Sequence, residues 1–140
     1  MDGVLVDLQR EINKLPKKVI EEYGNHIDRI PEIFYDPPPI EGAIDGLKTL
    51  FEKYEVYILS TAPWDSPEVW KYKRLWVERY LGVYGYKRLI LSHHKNLLMG
   101  DYLIDDRRVN GAGEFKGELI QFGVDVKNWT ELIKYLKIDE

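Results

Sequence analysis

No cysteine occurs anywhere in the 140 residues. Disulfides, thiolate zinc sites, iron–sulfur ligation and thiol nucleophiles are excluded together. The chain also lacks an excess of basic side chains. Its 20 Lys and Arg stand against 24 Asp and Glu, for a net charge of −4, the opposite of what duplex binding requires. It has no apolar run approaching the roughly 18 residues that span a bilayer, and its first residues lack the basic-then-apolar order of a secretory leader. The expectation is a cytoplasmic protein that engages neither nucleic acid duplex nor membrane. Repeats and low-complexity tracts are missing too, which leaves period and punctuation as the guides. What is present suits one folded domain: 44% hydrophobic and 13% aromatic residues supply a core, and 31% charged residues a surface.

From Asp7 to Ile33 the pattern is helical but interrupted. Pro16 fits the first turn of a helix through Val19, Ile20 and Tyr23, and Gly24-Asn25 ends it. Asp36-Pro37-Pro38-Pro39 is a stiff extended connector. Beyond it, Gly42 to Tyr54 places Ile44, Leu47, Leu50 and Phe51 on one helical face and feeds the apolar run Val56 to Leu59. A further helix covers about Pro67 to Leu81, with Val69, Trp76 and Tyr80 along one stripe. Strand candidates follow at Arg88 to Leu91, Tyr102 to Ile104 and Leu119 to Phe122. Asn128, three residues before Glu131, opens a last helix that turns Leu132, Ile133 and Leu136 inward.

Short, continuously apolar strands separated by helices predict an α/β fold, a doubly wound, Rossmann-like parallel sheet covered on both faces. Ligands of such sheets bind at the carboxyl ends of the strands. The residues there are Ser60 and Thr61, then Ser92, His93, His94 and Lys95, then Asp105 and Asp106. A hydroxyl, an amine and paired carboxylates at one edge suit a phosphate and a divalent cation.

Met1-Asp2-Gly3-Val4-Leu5-Val6-Asp7 resembles the opening motif of the haloacid-dehalogenase-like phosphohydrolases, which in full is Asp-Met-Asp-Gly-Val-Leu-x-Asp after a buried strand. Ile58-Leu59-Ser60-Thr61-Ala62-Pro63-Trp64, Trp76-Val77-Glu78-Arg79-Tyr80-Leu81-Gly82, His93-His94-Lys95-Asn96 and Gly100-Asp101-Tyr102-Leu103-Ile104-Asp105-Asp106-Arg107 are similar to the successive motifs of the bacterial 5'(3')-deoxyribonucleotidases. Nearly the whole chain takes part, in order. The resemblance implies one domain over residues 1–140 with a small helical cap inserted at about residues 8–36, and magnesium-dependent hydrolysis of a deoxynucleoside monophosphate or other small phosphoester. In such chemistry a first aspartate attacks phosphorus to give an aspartyl-phosphate. A second, matched by Asp2, protonates the leaving oxygen and then activates water. Thr61 and a lysine would bind the phosphoryl oxygens. Magnesium would take the Asp2 backbone carbonyl and a carboxylate from Asp105 or Asp106.

The sequence departs from the motif at its first aspartate, since Met1 stands where the methionine between the two aspartates belongs. The expectation is an internal methionine, preceded in the gene by roughly four or five apolar residues and an aspartate, a strand's worth. The alternative is a selected loss of the nucleophile.

Other readings of the same residues stay open. Asp105 and Asp106 could be turn residues, although adjacent acids at a buried strand end call for a cation. Lys95, just past a strand, is preferred over Lys73 as the phosphate lysine. Ser60 and Thr61 could simply terminate a strand, with Thr61 the better phosphate ligand. His93 and His94 suit a structural or substrate-edge role better than a magnesium site. Phe34, Tyr35 and Trp64 form either an aromatic wall for a nucleobase or cap packing. Arg107 and Arg108 shape their own loop. Besides a phosphatase, the sequence admits a non-catalytic module that binds nucleotide or phosphate through Thr61, Lys95 and magnesium. A receiver-like signalling domain is disfavoured, because no phosphoacceptor precedes Thr61 at a strand end.

Overall fold

The structure is a computed structural model and describes residues 1–136. Its first six residues coil into a tight loop in which the Met1 carbonyl accepts from the amides of Val4, Leu5 and Val6 at 2.8–3.2 Å. Gly3 makes this possible with a φ of 76°, in the left-handed region that side chains disfavour. The Asp7 carboxylate then caps α1 (Leu8–Ile12) through the Arg10 amide, and α2 (Lys17–Tyr23) starts behind Pro16 and stops at Gly24. Two 3₁₀ turns, Gly24–Arg29 and Pro31–Phe34, complete the insert. Chain enters and leaves the insert side by side, with Asp7 N–H donating to Pro38 O and Ile40 N–H to Leu5 O, both at 2.8 Å.

The remaining elements are α3 (Ala43–Lys53), β1 (Ile58–Ser60), α4 (Pro67–Leu81), β2 (Leu89–Leu91), β3 (Tyr102–Asp105), β4 (Glu118–Gln121) and α5 (Trp129–Tyr135). The helix α4 begins with proline in its first turn and ends at Gly82, the asymmetry that fixes both ends from sequence. At α5 the Asn128 side chain accepts from the Glu131 amide at 2.9 Å, so one half of the expected capping arrangement is made. Strand bounds shift by one or two positions: β1 starts at Ile58 rather than Val56 and takes in Ser60, β3 takes in Asp105, and β4 begins at Glu118.

The four strands pair in parallel, as an α/β fold requires, with Ile58 opposite Leu89 in one pair and Tyr102 opposite Glu118 in the other. Among the described residues, however, the sheet is divided into β1–β2 and β3–β4. Between β1 and β3 runs a largely apolar groove of about 320 Å³, lined among others by Met1, Leu59, Ile90, Leu103 and Ile104. The Met1 amino group donates to Leu59 O at 3.2 Å at its end. The strand edges facing this groove have no strand partner, a condition proteins normally avoid in a sheet interior.

Two apolar clusters hold the molecule. The larger unites Val4, Leu5, Leu47, Leu50, Trp76, Val77, Ile120, Trp129 and Leu132 beneath the strands. The smaller joins the insert, through Ile30, Ile33 and Phe34, to Ala62 and Val69 of the body. Burying each large side chain contributes roughly 1.5–3 kcal/mol. The Trp76 indole N–H also donates to Pro37 O at 2.7 Å, which ties the extended connector to α4.

Candidate active site at the strand ends

The carboxyl ends of β1 and β3 and the loop after β2 bring the sequence candidates together. Ser60 closes β1, and its hydroxyl accepts from the Lys73 ammonium at 2.8 Å. Lys73 shares the buried face of α4 with Val69, Trp76 and Val77, so its stem lies in the core and its charge emerges at the strand end. There it also donates to Asp2 Oδ2 at 2.7 Å and lies 5.2 Å from the centre of the Phe34 ring. Lys95 is buried as well and donates to Asp105 Oδ2 at 2.6 Å. Both lysines therefore reach the edge, each matched to a different aspartate. A buried ammonium needs such a partner, because charge taken out of water is costly when unpaired. The Thr61 hydroxyl donates to Ser92 O at 2.7 Å, locking the loops after β1 and β2 side by side.

The paired acids behave differently from one another. Burial alone would raise the Asp105 pKa, but Lys95 and the Met1 amino group outweigh it and hold the carboxyl below its ordinary value. Asp106 is raised, first by its own burial and then by the Asp105 carboxylate beside it. Its side chain lies against Gly3, where any Cβ would overlap the carboxylate. This glycine was not singled out as a site residue in the sequence, although a glycine directly after Asp2 was the available signal.

Among the described residues no three His, Asp or Glu side chains converge as a ready-made metal cage. Magnesium keeps several waters and needs only one or two carboxylates, so Asp2, Asp105 and Asp106 are the groups that could hold it. A cation would relieve the repulsion that raises Asp106.

The Met1 amino group is wholly buried at this edge, and its pKa falls from 8.0 to about 6, mainly by desolvation with Lys73 and Lys95 adding to it. Between those values the unfolded chain binds more protons than the folded one, so stability declines as pH drops from 8 to 6 and this group adds no further loss below. The expected decline is about 3 kcal/mol, from two units at 1.36 kcal/mol each. Thermal unfolding across this window should show it, and an N-acetylated chain should lose that component.

The predicted aromatic wall is only partly an open surface. Phe34 is 5% exposed, beneath the Lys73 ammonium, whereas Tyr35 is 60% and Trp64 76% exposed. Tyr35 stands edge-on to Tyr72. Trp64 instead meets Trp70 and His93. Trp70 went unremarked in the sequence, although its position three before Lys73 on one helix puts the two on neighbouring faces.

With this geometry, a family profile described as 5' nucleotidase, deoxy (pyrimidine), cytosolic type C protein matches residues 16–134. The chain belongs to this nucleotidase family. A Vibrio phage KVP40 protein, provisionally named a 5'(3')-deoxyribonucleotidase, is 53% identical over 137 residues, which are 97% of this chain and 81% of the phage protein. The Bacillus subtilis 5'(3')-deoxyribonucleotidase is 30% identical over 121 residues, covering 79% of this chain and 68% of its own length. A human 5'(3')-deoxyribonucleotidase of cytosolic type is 33% identical over 84 residues, 55% of this chain and 39% of the human one. No helix among the described residues is long and apolar enough to cross a membrane.

Proposed function

We propose that this deoxyribonucleotidase-family site binds deoxynucleoside monophosphates with magnesium and hydrolyses them once a nucleophilic carboxylate stands ahead of Asp2. The observation that carries this is the pair of buried ammonium groups, Lys73 beside Asp2 and Ser60 and Lys95 beside Asp105, converging with Thr61 on one sheet edge. A phosphoryl group entering there meets two fixed cations, donors already desolvated and so more effective than in water.

The proposed chemistry runs in two steps. A carboxylate oxygen bonds to phosphorus as the bond to the sugar oxygen breaks, and Asp2 gives that oxygen its proton. Asp2 then takes a proton from the water that displaces the carboxylate and releases phosphate. Lys73 orients Asp2 throughout. Magnesium, held by Asp105, Asp106 and the Asp2 carbonyl, would supply charge neutralisation at the phosphoryl oxygens.

Calorimetric titration of a deoxynucleoside monophosphate and its nucleoside, with and without magnesium, tests the site. Lys73→Met and Lys95→Met should each weaken monophosphate binding tenfold or more, about 1.4 kcal/mol, and leave the nucleoside unaffected. Asp105→Asn and Asp106→Asn should reduce the gain from magnesium. Absence of a phosphate-selective loss at both lysines would dismiss the proposed site.

A further inference from the structure

The loop of residues 1–6 that presents Asp2 is bonded chiefly to itself. Its Met1 carbonyl gathers the Val4, Leu5 and Val6 amides, and the Gly3 amide donates to Val6 O at 2.9 Å. Further bonds tie it to other parts of the described chain: Met1 N to Leu59 O, Lys73 to the Asp2 carboxylate, Ile40 N–H to Leu5 O, and the Trp129 indole N–H to Val4 O at 2.8 Å. Among the described residues, Trp129 alone brings a side chain to the backbone of this loop.

The indole is held in one place by what surrounds it. Trp129 opens α5 directly after the Asn128 cap and is buried. It lies in a notch on α3, where Gly42 and Gly46 stand one turn apart. A Cβ on Gly46 would overlap the six-membered ring, and one on Gly42 would come within 3.3 Å of the Trp129 Cβ. Glycine inside a helix is ordinarily destabilising; here it is what lets the ring reach the loop. Phe122 packs on the indole as well, with ring centres 6.1 Å apart. The N–H therefore has one fixed direction, and its removal would leave Val4 O without this donor in a buried setting.

We infer that Trp129 is a positioning residue of the proposed site: through Val4 it sets the direction of the Asp2 carbonyl and carboxylate, although it touches no substrate. The inference rests on the nucleotide reading above and extends the site to a residue 125 positions from Val4. Val4 is two residues from Asp2. With three amides gathered on Met1 O, the backbone between them has little freedom to absorb a shift, so a displacement at Val4 is passed on to Asp2. Groups that orient metal ligands from behind matter about tenfold to a hundredfold in metal affinity.

Hydrogen exchange of the Val4, Leu5 and Val6 amides, with calorimetric titration of a deoxynucleoside monophosphate and its nucleoside in the presence and absence of magnesium, tests this on wild type, Trp129→Phe and Trp76→Phe. Phenylalanine keeps a buried ring and removes the donor. Trp76 is the matched comparison, since its buried indole donates to Pro37 O in the connector. Both variants should lower the melting temperature. Trp129→Phe alone should speed exchange of the three loop amides, about fivefold or more, and cut the magnesium-dependent gain in monophosphate affinity about tenfold, with the nucleoside unaffected. Gly46→Ala, which displaces the ring and leaves its N–H intact, should reproduce that pattern, and it carries the test if Trp129→Phe does not fold. Equal changes at Trp76→Phe and Trp129→Phe, no change at the loop amides, or faster exchange throughout the core overturns the inference. Faster loop exchange with unchanged ligand binding overturns it too and leaves the nucleotide reading standing. A wild type that binds no monophosphate, or binds it indifferently to magnesium, removes both.

Discussion

Extending the chain ahead of Met1 by about five apolar residues and an aspartate, the length of an ordinary strand, is expected to raise both its stability and its turnover. The groove between β1 and β3 is largely apolar and flanked by two strand edges that have no strand partner among the described residues. The bond from the Met1 amino group to Leu59 O is already the kind a parallel neighbour would make. A strand there would join the two halves of the sheet and replace a buried amino group by a neutral amide. With each buried aliphatic side chain adding roughly 1.5–3 kcal/mol, a gain of several kcal/mol is expected in urea unfolding. Turnover should rise by several orders of magnitude, as losing a covalent nucleophile costs on the order of a millionfold elsewhere. Phosphate release with magnesium, measured on both chains, checks the second effect. A version carrying asparagine in place of the added aspartate separates the two, since it should keep the stability and lose the turnover. Equal activity of the aspartate and asparagine versions would mean that another group attacks phosphorus.

Lys95→Met should be the most destabilising single substitution at the site. Its ammonium and the Asp105 carboxylate are 8% and 7% exposed, so removing the cation leaves a buried carboxylate without its ammonium partner. Breaking such a pair costs about 3–5 kcal/mol, or roughly 10 °C or more in melting temperature for a chain of this size. The pH dependence has a definite sign. In wild type the Asp105 pKa is depressed, so its contribution is present above the unfolded value and is lost in acid. Without Lys95 burial raises that pKa, and the penalty disappears in acid as the group takes up a proton. The gap between the two proteins should therefore close as pH falls toward 4 and below. Adding Asp105→Asn to Lys95→Met should recover much of the loss at neutral pH; additive losses would show that the pair is not coupled.

Particular residues explain how far the sequence led. The bounds of α4 were legible because Pro67 and Gly82 punctuate both ends. Those of β1 were not, since Val56 and Tyr57 are as apolar as the strand itself, yet Tyr57 is 52% exposed and pairing starts at Ile58. Periodicity reports burial, whereas a strand begins where its hydrogen bonds do. Division of the sheet was equally illegible, because pairing is non-local. At the site, Thr61, Asp105 and Asp106 followed from their places after apolar runs. Lys73 was ranked below Lys95 because its helix also has a solvated face, although its spacing of four from Val69 and three to Trp76 already put it on the buried side.

The helix α4 serves as a common axle for two bodies. Its first half, through Val69, belongs to the cluster that roots the insert, and its second half, through Trp76, Val77 and Leu81, belongs to the main core. Swinging the insert outward would uncover Val69 and Ala62, both 0% exposed, so the insert is welded along that half rather than hinged on it. Shortening Val69 should therefore loosen the insert alone, because Trp76, Val77 and Leu81 belong to the other cluster and keep their partners.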